Sequence, residues 1–267
     1  MQMKKAKYRI EAPMGETKVL LHTCCAPCSS AIIEAMMKNG ITPVIYYCNP
    51  NIYPLEEYLI RKNECTRYAQ ALGLEIVDAD YDHENWLAAV KGLENEPERG
   101  GRCLKCFKLR LLRTAEYARD HGFKVITTTL ASSRWKSLDQ INEAGSWACN
   151  SVENVPPDDS LSRRISAAPL ASARCSENIA AATAPGSIED GAGMPLGAVG
   201  GSRLGVEIPV PPDDKVVWWD QNWRKGGLQE RRNQILKEYG FYNQLYCGCE
   251  FSIRKEAGNE TGPESSE

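Results

Sequence analysis

The sequence predicts an α/β domain, a parallel sheet with flanking helices, whose single core is interrupted by one long low-complexity insertion. Three observations predict it. Short apolar runs alternate with longer helix-patterned stretches, the order expected of βαβ units. Glycines fall where the helical patterns stop, at Gly40, Gly73 and Gly122. Between about residues 150 and 214 both patterns cease: aromatic residues are absent and Ala, Ser, Gly and Pro dominate.

The elements follow in order. Residues 18–23, Lys-Val-Leu-Leu-His-Thr, read as a short buried strand. The turn Cys24-Cys25-Ala26-Pro27-Cys28 follows, then a helix over 31–38 that Ser29 or Ser30 would cap. Residues 42–47 form a second strand, and Asn49-Pro50-Asn51-Ile52-Tyr53-Pro54 a loop rich in turn residues. A helix over 55–72, a strand over 74–77, a helix over 104–121 and a strand over 124–129 come next. The last strand leads into Leu130-Ala131-Ser132-Ser133. Sites in parallel α/β sheets gather just past the strand C-termini, where the cysteine turn and this second turn both fall.

The domain reading is an N-terminal extension over 1–17, a core over 18–149, a disordered insertion over 150–214, a second core part over 215–254 and a flexible tail over 255–267. The insertion lacks the apolar surface to offset its ordering entropy. Val-Pro-Pro-Asp-Asp stands at 155–159 and again at 210–214, marking its two ends. Ordered sequence resumes at Val216-Val217-Trp218-Trp219.

The chain has 267 residues, 42% hydrophobic and 25% charged, which suits one globular domain with a real core. Its net charge of −3 gives no bulk support to nucleic-acid binding, so any such binding needs a local basic patch. The first residues carry no apolar signal region, and no stretch is apolar enough to span a bilayer, so a cytoplasmic protein without a membrane partner is expected. Eleven cysteines in such a protein point to metal or redox chemistry rather than a disulfide framework.

Three cysteine groups stand out: Cys24, Cys25 and Cys28 in the first turn, Cys103 and Cys106 at a helix start, and Cys247-Gly248-Cys249 near the C-terminus. Thiolates are the soft ligands of zinc and of iron–sulfur clusters, and a helix N-terminus stabilises their charge. Spacing alone leaves a four-thiolate zinc site and an iron–sulfur cluster equally open for the first two groups. Cys247 and Cys249 enclose too small a loop for an ordinary structural disulfide, which suits a readily reduced relay; two core thiols or a second metal pair are the bland readings. Cys65 reads as core inside its helix. Cys48, Cys149 and Cys175 are given no role.

Basic residues cluster at Arg102, Lys105, Lys108, Arg110 and Arg113, then at Arg134 with Lys136, Arg224 with Lys225, and Arg231 with Arg232. Each run alone reads as a solvated face; several around the cysteine turns make a phosphate-binding surface credible. Asn49, Asn51, Tyr53 and Tyr58 line a polar nucleoside pocket or simply a turn and helix start. His22 is a proton donor or, more commonly for such a position, a satisfied core histidine.

Taken together, these motifs carry a resemblance. Leu20-Leu21-His22-Thr23-Cys24-Cys25-Ala26-Pro27-Cys28 resembles the opening motif of the epoxyqueuosine reductase QueH family. Tyr47-Cys48-Asn49-Pro50-Asn51-Ile52-Tyr53-Pro54, Glu57-Tyr58 and Arg102-Cys103-Leu104-Lys105-Cys106 are similar in the same order. So are Thr127-Thr128-Thr129-Leu130-Ala131-Ser132-Ser133, Arg224-Lys225-Gly226-Gly227 and Tyr246-Cys247-Gly248-Cys249-Glu250-Phe251-Ser252. One such motif is weak; the ordered set is specific.

The resemblance implies a Rossmann-like α/β fold and reduction of epoxyqueuosine to queuosine at the wobble position of tRNA, the final step of queuosine biosynthesis. It implies a [4Fe–4S] cluster, and leaves room for an adjacent mononuclear iron. By the same resemblance Cys24, Cys25, Cys103 and Cys106 match metal-binding cysteines and converge in the fold, with Cys28 a further candidate ligand. Cys247 and Cys249 match a redox-active disulfide pair. The partners implied are tRNA and an external electron donor of unspecified identity. The substrate base would leave its loop and stack on an aromatic such as Tyr53 or Trp135. The chain departs from the family in its insertion, between Gly145 and Trp218.

Two other functions fit parts of this pattern. One is an ATP-dependent tRNA-modifying enzyme of the PP-loop kind, but the turn after the first strand has no glycine to admit a phosphate. The other is a zinc-stabilised RNA-binding module.

Overall fold

Five strands, all parallel, form one sheet in the order β3-β2-β1-β4-β5. The computed structural model describes residues 8–153 and 215–253, which belong to one compact unit. The strands are β1 (Lys18–His22), β2 (Thr42–Tyr47), β3 (Ile76–Asp78), β4 (Val125–Thr128) and β5 (Val217–Trp218). The helices are α1 (Ala26–Lys38), α2 (Leu55–Ala71), α3 (His83–Val90), α4 (Gly101–Asp120), α5 (Leu138–Val152) and α6 (Leu228–Tyr239). The α/β class with a parallel, Rossmann-like sheet is therefore borne out.

A strand covered on both faces reads as an unbroken apolar run. β1 is such a strand: Val19, Leu20 and Leu21 are fully buried, with Leu20 opposite Val44 of β2 and Ile126 of β4. Its neighbours come from opposite directions of the winding, so β1 and β4 flank the point where strand order reverses. The crevice beyond their C-terminal ends is where an open α/β sheet binds ligands.

Details differ from the sequence reading. α1 starts at Ala26, not at 31, with Cys25 as N-cap and Pro27 in its first turn, a place proline favours. Neither serine caps it: Ser29 lies inside the helix, its hydroxyl donating to the Cys25 and Ala26 carbonyls at 2.9 and 3.2 Å. α3, α5 and α6 were not assigned from sequence. α5, N-capped by the Ser137 hydroxyl, runs three residues into the stretch read as insertion and buries Val152. Ile10 and Ala12, read as an extension, are buried in the core. The expected disorder of the insertion and tail, and Cys175, fall outside the described residues. Among the described residues no helix is long and apolar enough to cross a membrane.

Candidate active site and metal centre

The turn after β1 and the turn after β4 meet at the switch point. The Cys24 amide donates to the Thr129 hydroxyl at 3.2 Å, and the Ser132 hydroxyl reaches the Cys28 carbonyl at 3.5 Å. Beneath them His22 is fully buried, with Nε2 3.0 Å from the Cys48 carbonyl and Nδ1 2.7 Å from the Thr128 hydroxyl. A carbonyl only accepts, so Nε2 carries the proton and Nδ1 accepts from Thr128. Burial, then the charge of Arg110, depresses the His22 pKa to about 3. Its ring is a neutral, saturated part of the core, and the proton-donor reading is set aside.

Because α1 begins at Cys25, its first turn gathers three sulfurs. The ligand atoms of Cys24, Cys25 and Cys28 all lie within 4.8 Å of one another, and the Cys24 and Cys25 sulfurs are 3.8 Å apart. Hydrogen bonds from Cys25 and Cys28 hold the Cys24 thiol well below its ordinary pKa, with Lys136 and Thr129 adding to the effect. Burial raises Cys25, and the bond to Cys24 pushes Cys28 up to about 12. One sulfur is thus ready to be a thiolate and two serve it as donors. Gln244 adds an N–H to Cys25 Sγ at 3.0 Å.

Cys24 and Cys28 line a cavity of about 390 Å³, in the size range of small-molecule sites. Its walls include Asn49, Asn51, Arg61, Arg110, Lys136 and Gln244. A smaller cavity of about 40 Å³ adjoins it, lined by Cys103, Cys247 and Cys249; Lys136 and Cys247 border both. Cys106 packs with Cys249 in a small apolar cluster around Trp86. The structure therefore brings Cys24, Cys25 and Cys28 together and sets Cys103, Cys247 and Cys249 around the adjoining cavity, with Cys106 packed against Cys249. Among the described residues, no ligand group as tight as the first includes Cys103 or Cys106. Cys247 and Cys249 are free thiols, and burial pushes Cys249 up to about 12.

A soft-metal centre fits this donor set. Three sulfurs face one another without a disulfide, and buried cationic groups stand by to balance thiolate charge. Lys136, although burial alone would lower it, is held above its usual range by Cys247, Cys24 and Cys28.

Other sequence expectations resolve unevenly. Asn49 and Asn51 line the larger cavity, whereas Tyr58 is buried beneath the sheet edge, donating to Asp78 Oδ1 at 3.2 Å. Tyr53 stacks on His83. Arg102 and Arg110 are neither a solvated face nor a phosphate surface. Both are buried: Arg102 donates to the Glu94 and Glu96 carbonyls at 2.6 Å, and Arg110 to Cys48 O at 3.2 Å and to Asn49 Oδ1. α4 is covered on several sides, so its arginines become loop ties. Cys48, Cys65 and Cys149 are buried, and the Cys48 carbonyl anchors both His22 and Arg110. Gln244 and Arg61 have no assigned role in the sequence, since nothing periodic or clustered marks them, and Thr129 stands there only as part of the turn motif after β4.

Comparison with known proteins agrees with this site. The family model described as "Epoxyqueuosine reductase QueH" matches residues 19–164 and 209–255. The protein of that name from Histophilus somni is 39% identical over 246 residues, covering 92% of this chain and 76% of the relative. The one from Acinetobacter baylyi is 35% identical over 252 residues, 94% of this chain and 88% of the relative. A more distant one, from Thermotoga maritima, is 27% identical over 238 residues, 88% and 90% of the two chains.

Proposed function

The chain belongs to the epoxyqueuosine reductase QueH family and is an oxidoreductase, and from that premise we propose that it reduces epoxyqueuosine to queuosine in tRNA through a thiol-bound iron–sulfur centre and a redox-active cysteine pair. The observation that carries the metal assignment is the trio Cys24, Cys25 and Cys28 at the sheet switch point, opening on a nucleoside-sized cavity.

In this reading Cys24 and Cys25, with Cys103 and Cys106 from the start of α4, would hold a [4Fe–4S] cluster, with Cys28 a further candidate ligand. When bound, such a centre supplies single-electron transfer and a Lewis acid for the epoxide oxygen. The protein does the rest. Removal of the epoxide oxygen as water takes two electrons and two protons. Oxidation of the Cys247 and Cys249 thiols to one disulfide releases two of each, so one dithiol balances one turnover. An external reductant of unidentified kind must then restore the thiols. Lys136, bordering both cavities, keeps a positive charge beside the thiolates. The substrate base leaves its single-stranded loop to enter the larger cavity.

The test is anaerobic purification followed by spectroscopy and turnover. A visible absorption band that bleaches with dithionite, with iron and sulfide in the protein, and nucleoside analysis of tRNA showing queuosine formed from epoxyqueuosine, are expected. Colourless protein containing zinc, with no turnover, would instead support the zinc-stabilised RNA-binding module.

A further inference from the structure

The loop after β2 holds two asparagines that line the same cavity and are used in opposite ways. Asn49 is saturated by the protein: Nδ2 donates to the Thr23 carbonyl at 2.9 Å, and Oδ1 accepts from Arg110. Asn51, two residues on, is 1% exposed, yet its Oδ1 is buried with no hydrogen-bond partner. A buried acceptor left unmet is costly, so native structures rarely keep one without a reason.

The loop gives Asn51 no freedom to escape. The Asn49 carbonyl accepts from the Ile52 amide at 3.2 Å, and the Pro50 carbonyl lies 2.8 Å from His83 Nδ1. The Ile52 carbonyl accepts from the Tyr81 hydroxyl at 2.7 Å, and the Tyr53 amide donates to the Gly248 carbonyl at 2.9 Å. Four ties fix the backbone on both sides of Asn51.

Gln244 repeats the feature from the C-terminal segment. Its Nε2 donates to Cys25 Sγ at 3.0 Å, which sets the amide orientation because the oxygen would face a sulfur lone pair if reversed. Its Oε1 is then buried and unpartnered, and Gln244 lines the cavity that Asn51 lines. Two residues that line one cavity thus each carry a buried carboxamide oxygen without a donor. The cavity's charged side chains are mainly cationic, and Lys136 and Arg134 among them would serve acceptors on a ligand, not donors.

We propose that Asn51 and Gln244 are specificity-determining residues whose side-chain oxygens accept from neutral O–H or N–H groups of the modified nucleoside. This inference rests on the substrate reading above. A site whose buried acceptors require donors rejects analogues that lack them far more strongly than an apolar wall does.

The experiment compares wild-type holoprotein with Asn51→Leu and Gln244→Met, each close in size to the residue it replaces and without the carboxamide. Turnover of epoxyqueuosine tRNA, titration with free queuosine nucleoside by calorimetry, and iron per chain are measured on each. Asn51→Leu should lower kcat/KM and nucleoside affinity by about 10- to 100-fold with iron unchanged. Gln244→Met should likewise lower nucleoside affinity, and an unchanged affinity would remove Gln244 from the assignment. Unchanged nucleoside affinity in Asn51→Leu, or a loss of iron parallel to the loss of binding, would overturn the assignment. Wild-type protein that neither turns over the tRNA nor binds the nucleoside would overturn the parent reading and this one together.

Discussion

Arg61, in α2, donates through Nη1 to the main-chain oxygen of Cys247 at 3.3 Å, across 186 residues of chain. The same guanidinium donates to the Tyr246 carbonyl at 3.2 Å, lies 5.3 Å from the centre of the Tyr246 ring, and pairs with Glu57 at 2.5 Å. Arg61 and Glu57 are both buried. The cysteine-bearing C-terminal loop is therefore held against the sheet domain by a buried, Glu57-paired guanidinium as well as by the apolar packing of Cys249 around Trp86.

Breaking such a pair leaves an uncompensated buried charge. Arg61→Met should lower stability by about 3–5 kcal/mol, and the melting temperature by on the order of 10 °C. Hydrogen exchange should quicken at residues 246–249 before it does in β1. A variant that melts as wild type does, with those amides equally protected, would show that the loop is held by other contacts.

Gly248 sits between Cys247 and Cys249 at φ +102. A Cβ there would lie 2.9 Å from Ile52 Cγ1 and 3.0 Å from Arg61 Nη1. Gly248→Ala should be destabilising by about 1–3 kcal/mol and should reduce turnover, because it displaces the cysteines on either side. Gly240→Ala is the control: its φ is +60, but nothing lies within 4 Å of the added carbon. Chemical denaturation of both variants checks this; equal losses at the two positions would mean that close approach to Arg61 is not what requires glycine.

How much of this could be read in the sequence depends on range. β1 and β2 were legible because parallel strands buried on both faces are unbroken apolar runs, as in Val19 to Leu21. α6 was not: it buries only Leu228 and Ile235 along twelve residues, so its helical period is nearly silent. The glycines that bound it, Gly227 and Gly240, were the available signal. The Cys24-Cys25-Ala26-Pro27-Cys28 motif located the thiol trio, since one helical turn fixes its geometry. The hold of Arg61 on Cys247, the orphan oxygens of Asn51 and Gln244, and the burial of Arg102 and Arg110 depend on tertiary contacts that leave no local pattern.

At the cavity rim Trp135 is 69% exposed, on a loop tied down by two arginines. Arg99 donates to the Trp135 and Arg134 carbonyls at 3.1 and 2.7 Å, and Arg224 to those of Ser133 and Lys136 at 2.6 and 2.8 Å. The indole is presented on a fixed backbone, as a stacking platform would be. Trp135→Ala should weaken binding of an anticodon stem-loop by roughly 5- to 100-fold. Arg134→Ala should lower the salt dependence by about one phosphate contact. Fluorescence anisotropy across a salt series decides it; an unaltered affinity and slope would place the RNA elsewhere.

Iron content separates the two cysteine groups. Cys24→Ser and Cys25→Ser should each lose most bound iron, and Cys103→Ser or Cys106→Ser should do so as well if the ligand set spans both cavities. Cys65→Ala, a buried change in α2, is the control for general misfolding. Full iron in the Cys103 and Cys106 variants would confine the centre to Cys24, Cys25 and Cys28.

The Cys247 and Cys249 thiols can serve as a relay or as metal ligands, and each role excludes the other at a given moment. A relay needs both sulfurs free to bond to each other; a ligand has its lone pair engaged. Burial keeps Cys249 protonated in the ordinary pH range, the state a dithiol donor starts from. In a relay, Cys249→Ser should keep its iron and its tRNA affinity yet lose multiple turnover with the physiological reductant. A single turnover driven by dithionite should survive, since that reductant bypasses the pair. In a ligand role, iron should fall in step with activity and dithionite should rescue nothing. Thiol counting after one turnover with limiting reductant adds a direct check, because a relay consumes two thiols per queuosine formed. A Cys247→Ser, Cys249→Ser double variant with normal multiple turnover would exclude both roles and leave the motif as a packing element between Ile52 and Arg61.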